Sequence, residues 1–89
     1  MKLEVYNMTS YSGNKVLNQF IIETKSERIF KSYNSTIAVI NKKTGKITLG
    51  KNWNYSKTTG KYRNLFLGEK VAETRSKIES GEYKIDRSL

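Results

Sequence analysis

The sequence predicts a single α+β domain, in which a small antiparallel sheet of about four to five strands packs against two C-terminal helices. Two observations lead to this prediction. Before Gly50, apolar and polar residues alternate in short segments, as they do in half-buried strands. After Gly50, apolar residues recur every three to four positions, as they do on amphipathic helices. The 89 residues suit one domain with a modest core, and the sequence shows no repeat or linker that would divide it.

The predicted strands are separated by polar segments and by residues that favour turns. In chain order, the pattern predicts a strand at Leu3–Met8, a loop at Thr9–Asn14, a strand at Phe20–Ile22, a turn at Lys25–Ser26 and a strand at Arg28–Tyr33. A break at Asn34–Ser35 precedes a second hairpin. Its strands, Thr36–Ile40 and Ile47–Leu49, flank a loop in which Gly45 takes the left-handed conformation.

The first helix is predicted at Lys57–Leu67, because Ser56 suits the N-cap and Gly68 suits the C-terminal stop. Gly60 inside this helix costs about 1 kcal/mol relative to alanine. The helical period predicts two separate faces: Lys57, Lys61 and Asn64 on one, and Tyr62, Leu65 and Phe66 on another.

A second helix is predicted at Glu69–Ser80, ending before Gly81. Its apolar stripe contains Val71, either Thr74 or Arg75, and Ile78. Tyr83–Ile85 then adds a short edge strand.

Positive charge is concentrated in the middle of the chain. The net charge is +9, and no acidic residue occurs between Glu27 and Glu69, where nine cations lie. The flanking segments carry eight basic and eight acidic residues, so the entire excess lies in this middle segment. Such a segment attracts polyanions, nucleic acid first and an acidic protein surface second. The plainer alternative is that these lysines only keep a small domain soluble.

The composition argues against catalysis and against a bound metal or cofactor. The chain contains no cysteine and no histidine, which removes the usual zinc ligands, thiol nucleophiles and imidazole bases. Glu69 and Glu73 have helical spacing, which a solvated helix face explains more simply than a metal site. Ser56 near Lys57 resembles a Ser–Lys dyad, but helix capping accounts for this serine. We therefore expect a protein that is not an enzyme.

Binding of nucleic acid is better supported by the residues. Basic side chains alternate with aromatic ones between Lys51 and Leu67, a combination that contacts phosphates and stacks on unpaired bases. Alternatively, the first helix lies along a duplex groove. Tyr55 is the predicted stacking residue, whereas Trp53 is more typical of a core. The predicted phosphate contacts are Lys42, Lys43, Lys46, Lys51, Lys57, Lys61 and Arg63.

Four segments resemble one family of small uncharacterised proteins from bacteriophages and mobile elements. These are N-Q-F-I-I at Asn18–Ile22, the run F-K-S-Y-N-S-T-I-A-V at Phe30–Val39, W-N-Y-S-K-T-T-G-K-Y-R-N-L-F-L-G at Trp53–Gly68, and K-I-E-S-G-E-Y at Lys77–Tyr83. The resemblance covers most of the chain. Gly60 departs from it, since a polar residue is usual there.

The resemblance implies a phage accessory protein that acts in the cytoplasm of a host bacterium. Such a protein either binds nucleic acid or binds and disables a host protein, for example a CRISPR effector or another defence component. A chain of charge +9 does not imitate DNA, but it suits an acidic surface or a guide RNA. A homodimer formed through exposed apolar surface is a third alternative. The N-terminus has neither the apolar run of a signal peptide nor that of a membrane span, so we expect no membrane partner.

Overall fold

A computed structural model describes residues 3–9 and 13–89. Within these residues the elements are β1 (Glu4–Thr9), β2 (Lys15–Glu23), β3 (Glu27–Ser32), β4 (Ser35–Asn41), β5 (Ile47–Gly50), α1 (Lys57–Leu67), α2 (Val71–Glu79) and β6 (Lys84–Asp86). The predicted α+β class is confirmed. The central part of the predicted loop Thr9–Asn14 lies outside the described residues.

The sheet contains six strands in sequential order, so the predicted count of four to five is wrong. Strands β1 to β5 form an antiparallel meander, and β6 pairs with β5 in parallel. A parallel pair needs a crossover connection, which the two helices supply. The edge strand predicted at Tyr83–Ile85 is found one residue later as β6, which is only three residues long and exposed along its whole length.

One face of the sheet forms the core together with the helices. Ile21 pairs with Phe30, and Phe30 pairs in turn with Ala38. All three are buried, as is Leu49 on the next strand. From α1, the Phe66 ring packs 5.7 Å from the Phe30 ring, measured between centroids. The helices therefore cover this face, as the sequence predicts.

The opposite sheet face is only half-buried. Ile22 pairs with Ile29, and Ile29 pairs with Val39, which places these side chains on the side away from Phe30. None of the three is fully buried in the described structure. The alternation in β2 and β3 is therefore between a helix-covered face and an open one.

Helix α1 has the predicted bounds because both of its caps form. The Ser56 hydroxyl accepts a hydrogen bond from Thr59 N at 3.1 Å, and Gly68 ends the helix with a φ of 70°. On its faces Tyr62 and Phe66 are buried, as predicted, but Leu65 is 37% exposed. Leu65 was placed with Phe66 in the prediction, but it lies at the margin of the buried face.

Helix α2 is shorter than predicted at both ends. Lys70 is its N-cap, and the Glu73 carboxylate accepts a hydrogen bond from Lys70 N at 3.3 Å. The sequence left Thr74 and Arg75 as alternatives for the inner stripe. Thr74 is buried and Arg75 is exposed. Among the described residues, no helix is long and apolar enough to cross a membrane.

Candidate nucleic-acid interface

An open groove of about 910 Å³ lies beside α1, the start of α2 and the loop that precedes α1. Its charged lining consists of Lys57, Lys61, Arg63, Lys70, Arg75 and Glu69. We call this feature the basic groove. Five cationic side chains against one carboxylate give it a positive potential, which favours an anionic ligand.

Helix α1 directs Lys57 and Lys61 into the basic groove. Both are exposed, and they lie one helical turn apart on the face that the sequence predicts. The first turn of α1 contains no acidic residue, so nothing offsets the positive end of the helix dipole there. This end of the groove therefore presents exposed lysines beside a positive helix terminus.

Arg63 is buried, whereas a residue that contacts a phosphate must be exposed. It is 1% exposed, and its guanidinium donates to Trp53 O at 2.7 Å, Asn54 Oδ1 at 3.1 Å and Asn64 Oδ1 at 2.9 Å. These three acceptors fix the planar group in place. Arg63 therefore supplies charge beneath the basic groove and holds the loop before α1, and we do not include it among the contacting residues.

Trp53 lies close to two guanidinium groups. The centres of the Arg63 and Arg75 guanidinium groups lie 5.1 and 5.6 Å from the Trp53 ring centroid, within the range of cation–π contacts. Burial, and then the nearby charge of Arg75, lowers the pKa of Arg63. Trp53 is half-buried and packs against the core, in agreement with its expected structural role.

Glu69 has its own partners. Its carboxylate accepts hydrogen bonds from Thr74 Oγ1 at 2.6 Å, Lys77 Nζ at 2.8 Å and Tyr83 Oη at 2.8 Å. Burial opposes its ionisation, but the hydrogen bonds from Lys77, Thr74 and Tyr83 outweigh burial and lower its pKa. The carboxylate is thus ionised and ion-paired with Lys77, so it offsets little of the groove's positive charge.

The hairpin lysines predicted as phosphate contacts lie elsewhere. Lys42, Lys43 and Lys46 belong to the turn between β4 and β5 and do not line the basic groove. Lys42 is engaged there, with its ammonium 3.2 Å from Glu23 Oε2 and 2.7 Å from Thr24 O. Lys46 lies near Leu67, at the C-terminal end of α1. Lys57 is at the other end, about 15 Å away along the helix.

Lys51 and Tyr55 are both exposed, and both lie outside the basic groove. Tyr55 borders a second hollow of about 640 Å³. We call this hollow the tyrosine pocket; its lining residues include Tyr33, Asn34, Asn52, Tyr55, Ser56 and Thr58.

Sequence reasoning missed Lys70 and Arg75 in the groove. Both lie beyond Glu69, outside the acid-free segment, and the α1–α2 connection brings them beside Lys57 and Lys61. A signal for Arg75 was present, because Thr74 and Arg75 competed for the inner face of α2. The exposure of Arg75 follows from the burial of Thr74.

The described part of the chain gives no cluster for a metal ion. No group of three or more aspartate, glutamate, histidine or cysteine residues suited to hold one occurs within residues 3–9 and 13–89. Glu73, considered with Glu69 as a metal pair, instead caps α2. Ser56, considered as a nucleophile, caps α1.

A model of the family described as a family of unknown function (DUF8033) matches residues 1–82. The chain therefore belongs to this family. No curated protein and no solved structure matches the chain.

Proposed function

We propose that this protein is a non-enzymatic binder of nucleic acid, DNA or RNA, that holds the phosphate backbone in the basic groove. The observation that carries this proposal is the convergence of four exposed cations, Lys57, Lys61, Lys70 and Arg75, on one open groove. The chain separates these residues into two groups, and the fold brings the groups together. Solubility alone does not require that convergence.

The groove suits a polyanion better than it suits a small anionic metabolite. It is open to solvent, and none of its three lysines, Lys57, Lys61 and Lys70, forms an ion pair with a carboxylate in the described structure. Lys57 and Lys61 are about 6 Å apart along the α1 axis. They can therefore each contact a phosphate of one strand, while Arg75 supplies a bidentate donor from α2.

The family resemblance supports the biological setting of this proposal. We place the protein among the accessory proteins of a phage or mobile element, acting in the cytoplasm of the host bacterium. A host defence protein remains the alternative partner. Nuclease treatment distinguishes a nucleic-acid partner from a protein partner. A complex from host lysate that survives nuclease digestion would support the protein partner, whereas its loss would support nucleic acid.

The groove assignment is tested by a matched pair of charge variants. The variant Lys57→Gln/Lys61→Gln removes two exposed cations from the groove, and Lys43→Gln/Lys46→Gln removes two exposed cations from the hairpin turn. Net charge falls equally in both. We expect the groove variant to bind labelled single-stranded DNA, duplex DNA or RNA more weakly at about 50 mM salt.

The salt dependence should change in the same selective way. Each phosphate contact that is lost makes the slope of log affinity against log salt shallower by about 0.7 on a single strand and about 0.9 on a duplex. The slope of the groove variant should therefore become shallower by about 1.4 on a single strand or about 1.8 on a duplex, and that of the hairpin variant should stay near the wild-type value. Equal losses in both variants, or a loss only in the hairpin variant, would contradict the groove assignment.

A further inference from the structure

The tyrosine pocket differs from the basic groove in its chemistry. None of the described residues that line it is charged; hydroxyl and amide side chains form its walls. Its volume of about 640 Å³ falls within the range of small-ligand sites. A neutral pocket in a chain of net charge +9 is suited to an uncharged polar group.

Two tyrosine rings stand at the pocket with much of their surface in solvent. Tyr33 is 55% exposed and Tyr55 is 75% exposed. Tyr33 has a φ of 54°, a left-handed conformation that is rare for a bulky residue and costs about 1 kcal/mol or more. Tyr33 N donates to Asn18 O at 2.7 Å, which holds the turn in this conformation. The fold thus fixes an exposed ring at this edge against a local backbone cost.

Hydrogen-bonding groups line the inner wall of the pocket. The hydroxyls of Ser32 and Thr59 are hydrogen bonded at 3.0 Å, and Asn52 Nδ2 donates to Ser35 Oγ at 3.1 Å. Behind Ser32, its cross-strand partner Gln19 is 0% exposed, and neither amide atom of Gln19 has a hydrogen-bond partner in the described structure. A buried amide whose atoms have no hydrogen-bond partner is unusual. A water molecule or a ligand that enters through the adjoining pocket would supply a partner for the Gln19 amide.

The pocket and the basic groove meet at the start of α1. Ser56 borders both of them. The next residue, Lys57, lines the groove, and Thr58 lines the pocket. A ligand that spans this boundary must therefore combine an anionic part with a neutral, polar part, as a nucleotide does.

We infer that the tyrosine pocket takes one unpaired nucleobase of a strand whose phosphates lie in the basic groove. The ring of Tyr55 or Tyr33 stacks on the base, and the hydroxyl and amide groups meet its edge. This role rests on the function proposed for the groove. It adds that the ligand is single-stranded at the start of α1, because a base that enters the pocket must be unpaired and unstacked, and a single strand avoids the cost of breaking a base pair.

The test compares two oligonucleotides with the same backbone charge. One is a single-stranded DNA of about ten nucleotides, and the other has the same length but stable abasic positions throughout. We expect the wild-type protein to bind the strand with bases roughly 5- to 100-fold more tightly. At least one of the variants Tyr55→Leu and Tyr33→Asn should lose most of this preference, and Tyr55→Phe, which keeps the ring, should retain it.

The outcomes of this test distinguish a failure of the role inferred for the tyrosine pocket from a failure of the role proposed for the basic groove. Equal affinity of the wild-type protein for both strands, with a normal salt slope, would overturn the pocket and leave the groove intact. An unchanged preference in Tyr55→Leu, and also in Tyr33→Asn, which suits the left-handed backbone, would likewise overturn it. Failure to bind either strand at low salt would overturn both assignments.

Discussion

Arg63 donates a hydrogen bond from Nη1 to the backbone oxygen of Trp53 at 2.7 Å, while its guanidinium lies 5.1 Å from the Trp53 ring centroid. One side chain thus ties α1 to the loop before it by a charged hydrogen bond and a ring contact. The loop carries residues of both the basic groove and the tyrosine pocket. We therefore regard the Arg63–Trp53 pair as the support on which the two sites depend.

Replacing Arg63 should mainly affect stability. Arg63→Ala leaves the acceptors on Trp53, Asn54 and Asn64 without their donor and removes the packed guanidinium, so the free energy of unfolding should fall by about 3 kcal/mol. Arg63→Lys should recover little, because a point charge cannot satisfy three acceptors in a planar arrangement. Urea denaturation measures the free energy of unfolding of both variants. The control is Lys61→Ala on the exposed face of α1, with an expected change within about 0.5 kcal/mol. Equal stability of Arg63→Ala and Lys61→Ala would contradict this role.

Gly60 is a site where a substitution should stabilise the fold. A Cβ atom built there would lie 3.6 Å from Arg63 Nη2 and 3.8 Å from Asn54 Oδ1, which is ordinary van der Waals contact. Gly60→Ala should therefore raise the free energy of unfolding by up to about 1 kcal/mol, through the higher helix propensity of alanine. Thermal unfolding followed by circular dichroism measures the change in stability. Gly50→Ala is the contrasting variant, because a Cβ there collides with Thr36 O, and it should destabilise. A melting temperature for Gly60→Ala below that of the wild-type protein would contradict the predicted stabilisation.

Glu69 should make the stability depend on acidic pH. Its pKa is lowered from an ordinary value of 4.5, so its contribution is fully present above about pH 4.5 and is lost as the pH falls through the lower pKa of the folded state. Glu69→Gln lacks this titration. The stability difference between wild type and variant should therefore shrink between about pH 6 and about pH 3.

Urea denaturation over this range tests the pH dependence. The pKa of Asp86 is also lowered, by hydrogen bonds from Ser88, but Asp86 is present in both proteins and its effect cancels in the difference. A stability difference that stays constant with pH would show that Glu69 contributes by packing alone.

The sequence predicted the local features of the fold well, because their signals are local. Ser56 and Gly68 set both ends of α1, and Gly45 takes its predicted left-handed conformation with a φ of 75°. The sixth strand, predicted at Tyr83–Ile85, forms one residue later at Lys84–Asp86, where it pairs with β5, although the predicted total of four to five strands was too low. Short edge strands of this kind depend on tertiary contacts.

The candidate site was predicted only in part. Lys57 and Lys61 reach the groove because the helical period places them on its exposed face. Arg63 was assigned to the surface by its charge, although it lies at helical spacing between Thr59 and Phe66, which are both buried. That spacing was the available signal for its burial. The exposure of Arg75 could have been read from the stripe of α2, but the position of Arg75 and Lys70 beside Lys57 depends on the α1–α2 connection, which residue patterns do not show.

The proposed function requires that the four exposed cations of the basic groove hold a phosphate backbone. The most direct measurement is the affinity of the wild-type protein for single-stranded DNA between about 50 and 200 mM salt. Four phosphate contacts predict a slope of about −3 in log affinity against log salt. A slope near zero, or no binding at the lowest salt, would contradict the claim and point to a protein partner instead.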